Sequence, residues 1–338
     1  MEPDTSTGFS SPSTGPLNAE PWSRLWKAGI LHSCATGIAG NYDGTVRSFW
    51  HGRFASLADG QCLVDIGTGN GAVPLLAKDY AETRGILLDI HGVDIADIDP
   101  VASAPGGSER YAGIQFHPCT SATALPFAAG EVSLLCSQFA FEYVPRDQAI
   151  AEIVRVIGPN GRAALVMHSD QSIVAQVGEQ QLQGCSYLLD ESDFLKRAAA
   201  LARVLSQAPD DARRAALAQN PHAEITRHEF NDSARALMEK ISELEVAEVL
   251  KKAAQQISSA LQLAGRSGQT ALAIIESARA ALQDEQARLL QLRSALVDEE
   301  ALAAIRDGFQ AAGFSVHCSP LYYRDNIRLG WTMVVGNE

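Results

Sequence analysis

The sequence predicts an α/β fold, an open and doubly wound sheet with a mostly helical insert. Three observations carry this. The apolar run 62–66 ends in a glycine loop and runs on into a helix-forming segment. Strand-like and helical stretches then alternate as far as residue 169, and a helix with two closing strands finishes the chain after residue 298. The stretch 171–298 between them is rich in Ala, Leu, Gln and Glu and has helical periodicity.

The bulk numbers fit that class. A chain of 338 residues can bury one sizeable core plus an appendage, or two domains. With 46% hydrophobic and 20% charged residues it has the composition of an ordinary globular protein. A net charge of −13 argues against general nucleic-acid binding, which needs a basic footprint, and leaves room only for a local basic patch. The six cysteines are widely spaced with no C-x-x-C pair, which predicts reduced thiols, no zinc site and no metal. No apolar run is long enough to cross a membrane, and the first residues lack the pattern of a signal peptide. These features together predict a cytoplasmic protein.

Residues 1–20, rich in Ser, Thr, Pro and Gly, are expected to be disordered. A helix is expected over 22–35, with Trp22, Leu25, Trp26 and Ile30 on one side. Asn41-Tyr42-Asp43-Gly44 reads as a turn. A second helix over 46–57 carries Phe49, Trp50 and Phe54, so residues 21–60 form an N-terminal helical piece.

The first strand then delivers Asp65 and the loop Gly67-Thr68-Gly69-Asn70-Gly71. Ligands of open α/β sheets sit at such carboxyl ends, and glycine lets a ligand approach the backbone. The spacing is G-x-G-x-G and not the G-x-x-G ending of a dinucleotide site, and a carboxylate beside the loop suits a ligand with a positive charge. The second strand, over 86–95, ends at Asp94, where an acid can accept from both hydroxyls of a ribose. Asp97 and Asp99 compete for that role but read as solvated loop acids.

A loop is expected over 101–110 and a third strand over 113–117, whose His117 precedes a proline and reads as structural. The fourth strand, over 131–139, brings Ser137, Gln138 and Phe139 to the same edge, with Glu142 and Tyr143 just beyond. Residues 146–157 have helical spacing of Ile150, Ile153, Val154 and Ile157. Gly158-Pro159-Asn160-Gly161 stops that helix, and the fifth strand, 163–169, contains His168.

Taken in order, these motifs resemble the class I S-adenosylmethionine-dependent methyltransferases. The glycine motif with Asp65, the acid Asp94, the segment Ser121-Ala122-Thr123-Ala124-Leu125-Pro126-Phe127, the fourth strand and the turn from Arg155 to Arg162 fall in the family's order. The finish agrees as well: a helix over 299–312, Gly313-Phe314, and a last strand over 326–335. The resemblance implies a seven-stranded Rossmann-like methyltransferase sheet whose last strand is antiparallel, with residues 61–170 and 299–338 as the core and the insert between strands five and six. It implies S-adenosyl-L-methionine as cofactor, held by Asp65, Gly67, Thr68, Gly69, Asn70, Gly71, Asp94, Ile95, Ser121, Ala122, Ser137 and Gln138. One position departs. Ser121 stands where the family carries an acid that accepts from the adenine amino group, and a hydroxyl accepts more weakly than a carboxylate. The backbone N–H of Ala122 can still read an adenine nitrogen.

In the insert, helices are expected over 190–205, 211–219 and 232–263, the last with Leu237, Ile241, Leu244, Ile257 and Leu261. After a break at Gly265-Arg266-Ser267-Gly268, Ile275, Leu282, Leu289 and Leu296 recur every seventh residue, with Glu285 interrupting the seam. The insert reads as a helical hairpin that is either an internal cap or the contact of a homodimer.

Methyl transfer needs alignment more than acid, and a base only where the acceptor arrives protonated. His168 is the first candidate for that base, then Glu142 and Tyr143; His51 would need the N-terminal helix to fold over the pocket. Tyr42, Trp50 and Phe139 are candidates for contact with the acceptor. The fourth strand is not followed by an Asn-Pro-Pro-Tyr motif, so a small, partly apolar acceptor methylated at oxygen or nitrogen is expected. Two other readings fit the same residues: a protein or tRNA methyltransferase docking through its insert, and a non-catalytic scaffold.

Overall fold

The computed structural model describes residues 17–33, 40–208, 210–217, 219–324 and 326–336; most of the stretch expected to be disordered lies outside them. The chain divides into two compact units: residues 1–169 with 294–338, and residues 170–293. The sequence reading puts the same divisions at 170/171 and 298/299.

The first unit is a seven-stranded sheet of order β3-β2-β1-β4-β5-β7-β6. Its strands are β1 Cys62–Ile66, β2 Asp89–Val93, β3 Ile114–His117, β4 Leu134–Gln138, β5 Arg162–His168, β6 Val316–Tyr323 and β7 Ile327–Val335. The first five are parallel, and β7 lies antiparallel between β5 and β6. Strands covered on both faces read as continuous apolar runs, and β1, β4 and all of β5 but its first residue are buried.

Helices cover the sheet: α1 Glu20–Lys27, α2 Gly44–Phe54, α3 Ala72–Arg84, the single turns α4 Pro100–Ser103 and α5 Gly107–Arg110, and α6 Arg146–Ile157. The helix α1 is shorter than expected, because Gly29 turns the chain in the left-handed region (φ 79°), where an added Cβ would meet the Ser103 carbonyl. The stretch expected as a loop over 101–110 instead holds α4 and α5; Asp99 caps α4 by accepting from the N–H of Ala102.

On α2, Val46, Trp50 and Phe54 recur at four-residue spacing and pack with Leu63, Leu134 and Val166 on one face of the sheet. On α6, Ile150, Ile153 and Ile157 pack on the other with Val64, Leu135 and Phe309.

The second unit is all-helical: α7 Ile173–Ser186, a π-turn over Tyr187–Glu191, α8 Phe194–Ser206, α9 Asp211–Leu217, α10 Pro221–Glu243, α11 Glu248–Ala264 and α12 Gly268–Ala295. Two expectations are corrected. The helix expected over 190–205 is preceded by the separate α7, capped by the Ser172 hydroxyl. The single helix expected over 232–263 is two, broken at 244–247, where Leu244 turns extended and Val246 donates its N–H to the Gln180 side chain. The heptad residues Ile275, Leu282 and Leu289 are buried with Leu250 and Ile257 in the insert's own core, so this seam is closed internally. The chain returns to the first unit through Val297, whose N–H donates to the His168 carbonyl at 2.9 Å, and α13 Glu299–Ala311 then leads into β6. Among the described residues no helix is long and apolar enough to cross a membrane.

Candidate functional site

At the carboxyl ends of β1, β2 and β4 lies a cavity of about 230 Å³. Its floor is Asp65, Ile66, Gly67, Thr68, Asp94 and Ile95; its walls include Ser121, Ala122, Gln138, Phe139, Ala140 and Tyr143. Trp22, Trp26, Leu31, His32 and Tyr42 close it from the N-terminal side.

Two carboxylates dominate its electrostatics. Asp65 is 2% exposed, and its Oδ1 has no hydrogen-bond partner. Burial pushes the Asp65 carboxyl up to about 8, opposed by the nearby Thr68 hydroxyl and helped by the charge of Asp94. Asp94 is better supplied: Oδ2 accepts from the N–H of Gly69 and Oδ1 from that of Ala96, both at 2.8 Å. Burial still raises it to about 6. A second unpaired group faces the same space. The Gln138 Oε1 accepts from the indole of Trp50 at 2.6 Å, and its Nε2 has no partner.

The glycine loop is crowded by protein. A Cβ on Gly67 would stand 2.2 Å from that of Ala140, on Gly69 2.8 Å from the Trp26 ring, and on Gly71 2.9 Å from the Phe116 ring. Only Gly67 and Thr68 of the loop line the cavity; Gly69, Asn70 and Gly71 do not. Asn70 faces away, donating its amide to the carbonyls of Trp26 (2.8 Å) and Ile30 (2.7 Å) and so binding α1 and the turn after it to the loop. A second tie runs from Lys27 to Asp97, which explains that acid without a ligand.

Around β4 and β5 the expected residues separate. The Ser137 hydroxyl accepts from the N–H of Phe141 behind the cavity wall. Phe139 lines the cavity and holds a left-handed backbone (φ 56°), unusual for a residue with a bulky side chain. Its ring stacks on His168 at 4.2 Å between centroids. Glu142 Oε1 accepts twice from His168, from the backbone N–H and from Nδ1, both at 2.8 Å. His168 and Glu142 are buried and do not line the cavity; Tyr143 does, edge-on to both His168 and Trp22.

Of the acceptor candidates, Tyr42 lines the cavity, stacked on His32 at 4.7 Å. Trp50 is wholly buried in the core and does not line the cavity, which it meets through its hydrogen bond to Gln138, so the sequence reading of it as an acceptor contact is corrected. Its place follows from helical spacing with Val46 and Phe54, which face the sheet. His51 packs against Phe54 and Tyr80, and His117 against His91. The Ser121 hydroxyl bonds the Thr123 side chain at 2.8 Å and accepts from the Thr123 N–H. Sequence reasoning did not single out Trp22, Trp26 and His32 as cavity residues. The apolar stripe of Trp22, Leu25 and Trp26 just before the first strand was the available signal.

Residues 64–165 match the family model of a methyltransferase domain. Among solved structures, similar folds include a geranyl diphosphate methyltransferase in complex with GPP and sinefungin (22% identity over 37% of this chain and 45% of that one, TM-score 0.30). Another is the geranyl diphosphate C-methyltransferase of Streptomyces coelicolor A3(2) with Mg2+, geranyl diphosphate and S-adenosyl-L-homocysteine (18%, 45% and 64%, TM-score 0.33). A third is the [4+2]-cyclase SpnF (19%, 47% and 64%, TM-score 0.36). The chain spans about half the length of the first structures it matches. No curated protein matches the sequence significantly.

Proposed function

We propose that the protein is an S-adenosylmethionine-dependent methyltransferase acting on oxygen or nitrogen of a small, partly apolar acceptor, a reading supported by the match of residues 64–165 to a methyltransferase domain. One observation carries the reading: a buried carboxylate oxygen without a donor (Asp65) and a buried amide without an acceptor (Gln138) share one cavity at the carboxyl edge of the sheet. Buried polar groups in folded proteins are as a rule paired, so both ask for a ligand, as do Nδ1 of His32 and the Thr68 hydroxyl, which are unpaired on residues lining the same cavity. An amino acid moiety supplies the complements, an ammonium for Asp65 and a carboxylate for Gln138.

The remaining residues fit the same cofactor. Each oxygen of Asp94 accepts one backbone N–H and retains a lone pair for a ribose hydroxyl. Gly67 keeps the loop flat against Ala140, and Ala122 offers its backbone to a base edge while the Ser121 hydroxyl is occupied by Thr123. When bound, the cofactor supplies a methyl group already activated on a cationic sulfur. Asp65 and Asp94 attract that positive charge. The aromatic wall of Trp22, Trp26, Phe139 and Tyr143 excludes water and orients the acceptor, and such alignment is worth about 7–11 kcal/mol of barrier.

Tyr143 is the catalytic candidate that reaches the cavity, and its hydroxyl can hold or pass the acceptor's proton. Nδ1 of His168 points at a carboxylate oxygen, so it carries the proton and leaves Nε2 as the basic nitrogen. With Phe139 stacked over it, the His168–Glu142 pair supports the wall from behind. The five described cysteines are unbridged, which supports a cytoplasmic location.

Calorimetric titration with S-adenosylmethionine, S-adenosylhomocysteine and NADH tests the reading. Micromolar binding of the first two and none of NADH is expected; no binding of either would leave the scaffold reading in its place. Methylation of extract protein or RNA by the pure enzyme would replace the small-molecule acceptor.

A further inference from the structure

On the sheet, away from the cavity, three metal-ligating side chains of three different kinds converge. Cys62 opens β1 and is paired in register with Asp89, which opens β2; His91 follows two residues later. In a parallel sheet paired neighbours share a face, and so do residues two apart. The ligand atoms of Cys62, Asp89 and His91 accordingly lie within 4.8 Å of one another. Nε2 of His91 is 3.1 Å from Oδ1 of Asp89. This is an ion-pair contact, which Asp89 Oδ1 shares with the amide of Gln115 at 3.1 Å, and it is close to the about 3.3 Å that separates ligands about 2.0–2.1 Å from a tetrahedral ion.

The surroundings complete the arrangement. Nδ1 of His91 meets Nε2 of His117 at 3.0 Å. A histidine that binds a metal through one nitrogen needs a partner for the proton on the other, and His117 is placed to accept it. The Phe127 ring stands edge-on to both imidazoles, at 5.1 and 5.7 Å, and fixes their planes. Cys62 and His91 are buried, while the Asp89 side chain is 51% exposed and gives an ion a way in.

We propose that Cys62, Asp89 and His91 form a divalent-cation site suited to Zn2+, with His117 as the positioning residue for His91. A thiolate, an imidazole and a carboxylate are a zinc-type set and a poor one for Mg2+ or Ca2+. Three protein ligands leave the fourth position to water. Binding displaces the thiol proton of Cys62 to solvent and forms the metal–sulfur bond, with no change of oxidation state. The ion joins the opening residues of β1 and β2, at the opposite ends of those strands from Asp65 and Asp94, so its expected effect is on the stability of the sheet. The sequence reading expected no zinc site because the ligands come from two strands and have no short spacing.

The test is titration of the full chain with ZnCl2 by calorimetry, together with CoCl2 absorption spectroscopy and thermal melting. One ion per chain, a near-ultraviolet thiolate-to-cobalt band and a raised melting temperature are expected. C62S should abolish the band and weaken binding by more than about 100-fold. H91Q should weaken binding comparably, and H117Q by about 10–100-fold. C119S, at an exposed cysteine, should change none of this. H91Q provides an independent reading if C62S fails to fold. Absence of 1:1 binding, a Co2+ complex without the thiolate band, binding that survives both C62S and H91Q, or binding lost in C119S would each overturn the site.

Discussion

The sheet unit leaves more of its buried polar atoms unpaired than the helical unit does. In the sheet unit Asp65, Asn70, Gln138 and Glu142 are all buried, and each keeps an atom without a partner. In the helical unit the buried hydroxyls of Thr226 and Ser233 donate back to their own helix, at 2.9 and 2.7 Å, and among its described residues Ser192 alone keeps a buried side-chain atom without a partner. Unpaired buried groups destabilise a fold, and those of Asp65 and Gln138 line the cavity, where a ligand can complete them. The difference supports the proposal that the sheet unit carries the chemistry and the helical unit is packed framework.

The largest effect is expected in the framework. Ile257→Ala opens a void in a fully buried position of the insert and should lower stability by about 2–5 kcal/mol while leaving S-adenosylmethionine affinity unchanged. Denaturant unfolding and calorimetry on one preparation decide it; a parallel loss of affinity would abolish the contrast between the units. Asp65→Asn should do the reverse, weakening cofactor binding by about 1.5–3 kcal/mol with the fold retained.

The same residue gives a pH dependence. Its folded carboxyl, at about 8, lies far above the ordinary value of about 3.9. The folded chain therefore holds a proton that the unfolded chain releases, and stability from this group is present at low pH and lost as pH rises through about 8. Melting temperatures of the free protein should fall between pH 5 and 8 more steeply in the wild type than in Asp65→Asn, and the difference in slope should vanish above about pH 8; equal slopes from pH 5 to 8 would mean that the carboxyl is not buried as described. The smallest effect is at Asn70→Ala, which removes the two hydrogen bonds its amide donates to the carbonyls of Trp26 and Ile30 and should cost about 1–2 kcal/mol. Faster hydrogen exchange in residues 20–30 would be its sign, and unchanged exchange would mean that the aromatic contacts of Trp26 suffice.

What was legible in the sequence was local. The run into Asp65, the glycine spacing and the end of β2 at Asp94 depend on neighbours in the chain, and periodicity and turn chemistry report these. The helix α6 is legible to the residue, because its apolar spacing lies within it and its glycine stop, Gly158, follows it directly. The break at 244–247 was not legible: Leu-Glu-Val-Ala contains no breaker, and its stabilising partner, Gln180, is 66 residues away. Asn70 reads as a ligand residue from its motif, but its partners are carbonyls 40 and 44 positions earlier. The glycines were read as room for a ligand; in the fold that room is taken by Ala140, Trp26 and Phe116. Long-range side chains, invisible to spacing, decide these cases.

The carboxylates of Asp65 and Asp94, at about 8 and about 6, also make ligand capture a chemical exchange with the solvent. A cation seated beside them lowers both, so near neutral pH the complex forms with expulsion of protons. The heat measured on binding then contains the ionisation heat of whatever buffer takes those protons up, and will differ between phosphate and Tris at one affinity. In a weakly buffered solution each capture event acidifies its surroundings, and the molecule reports its own occupancy as a pH change.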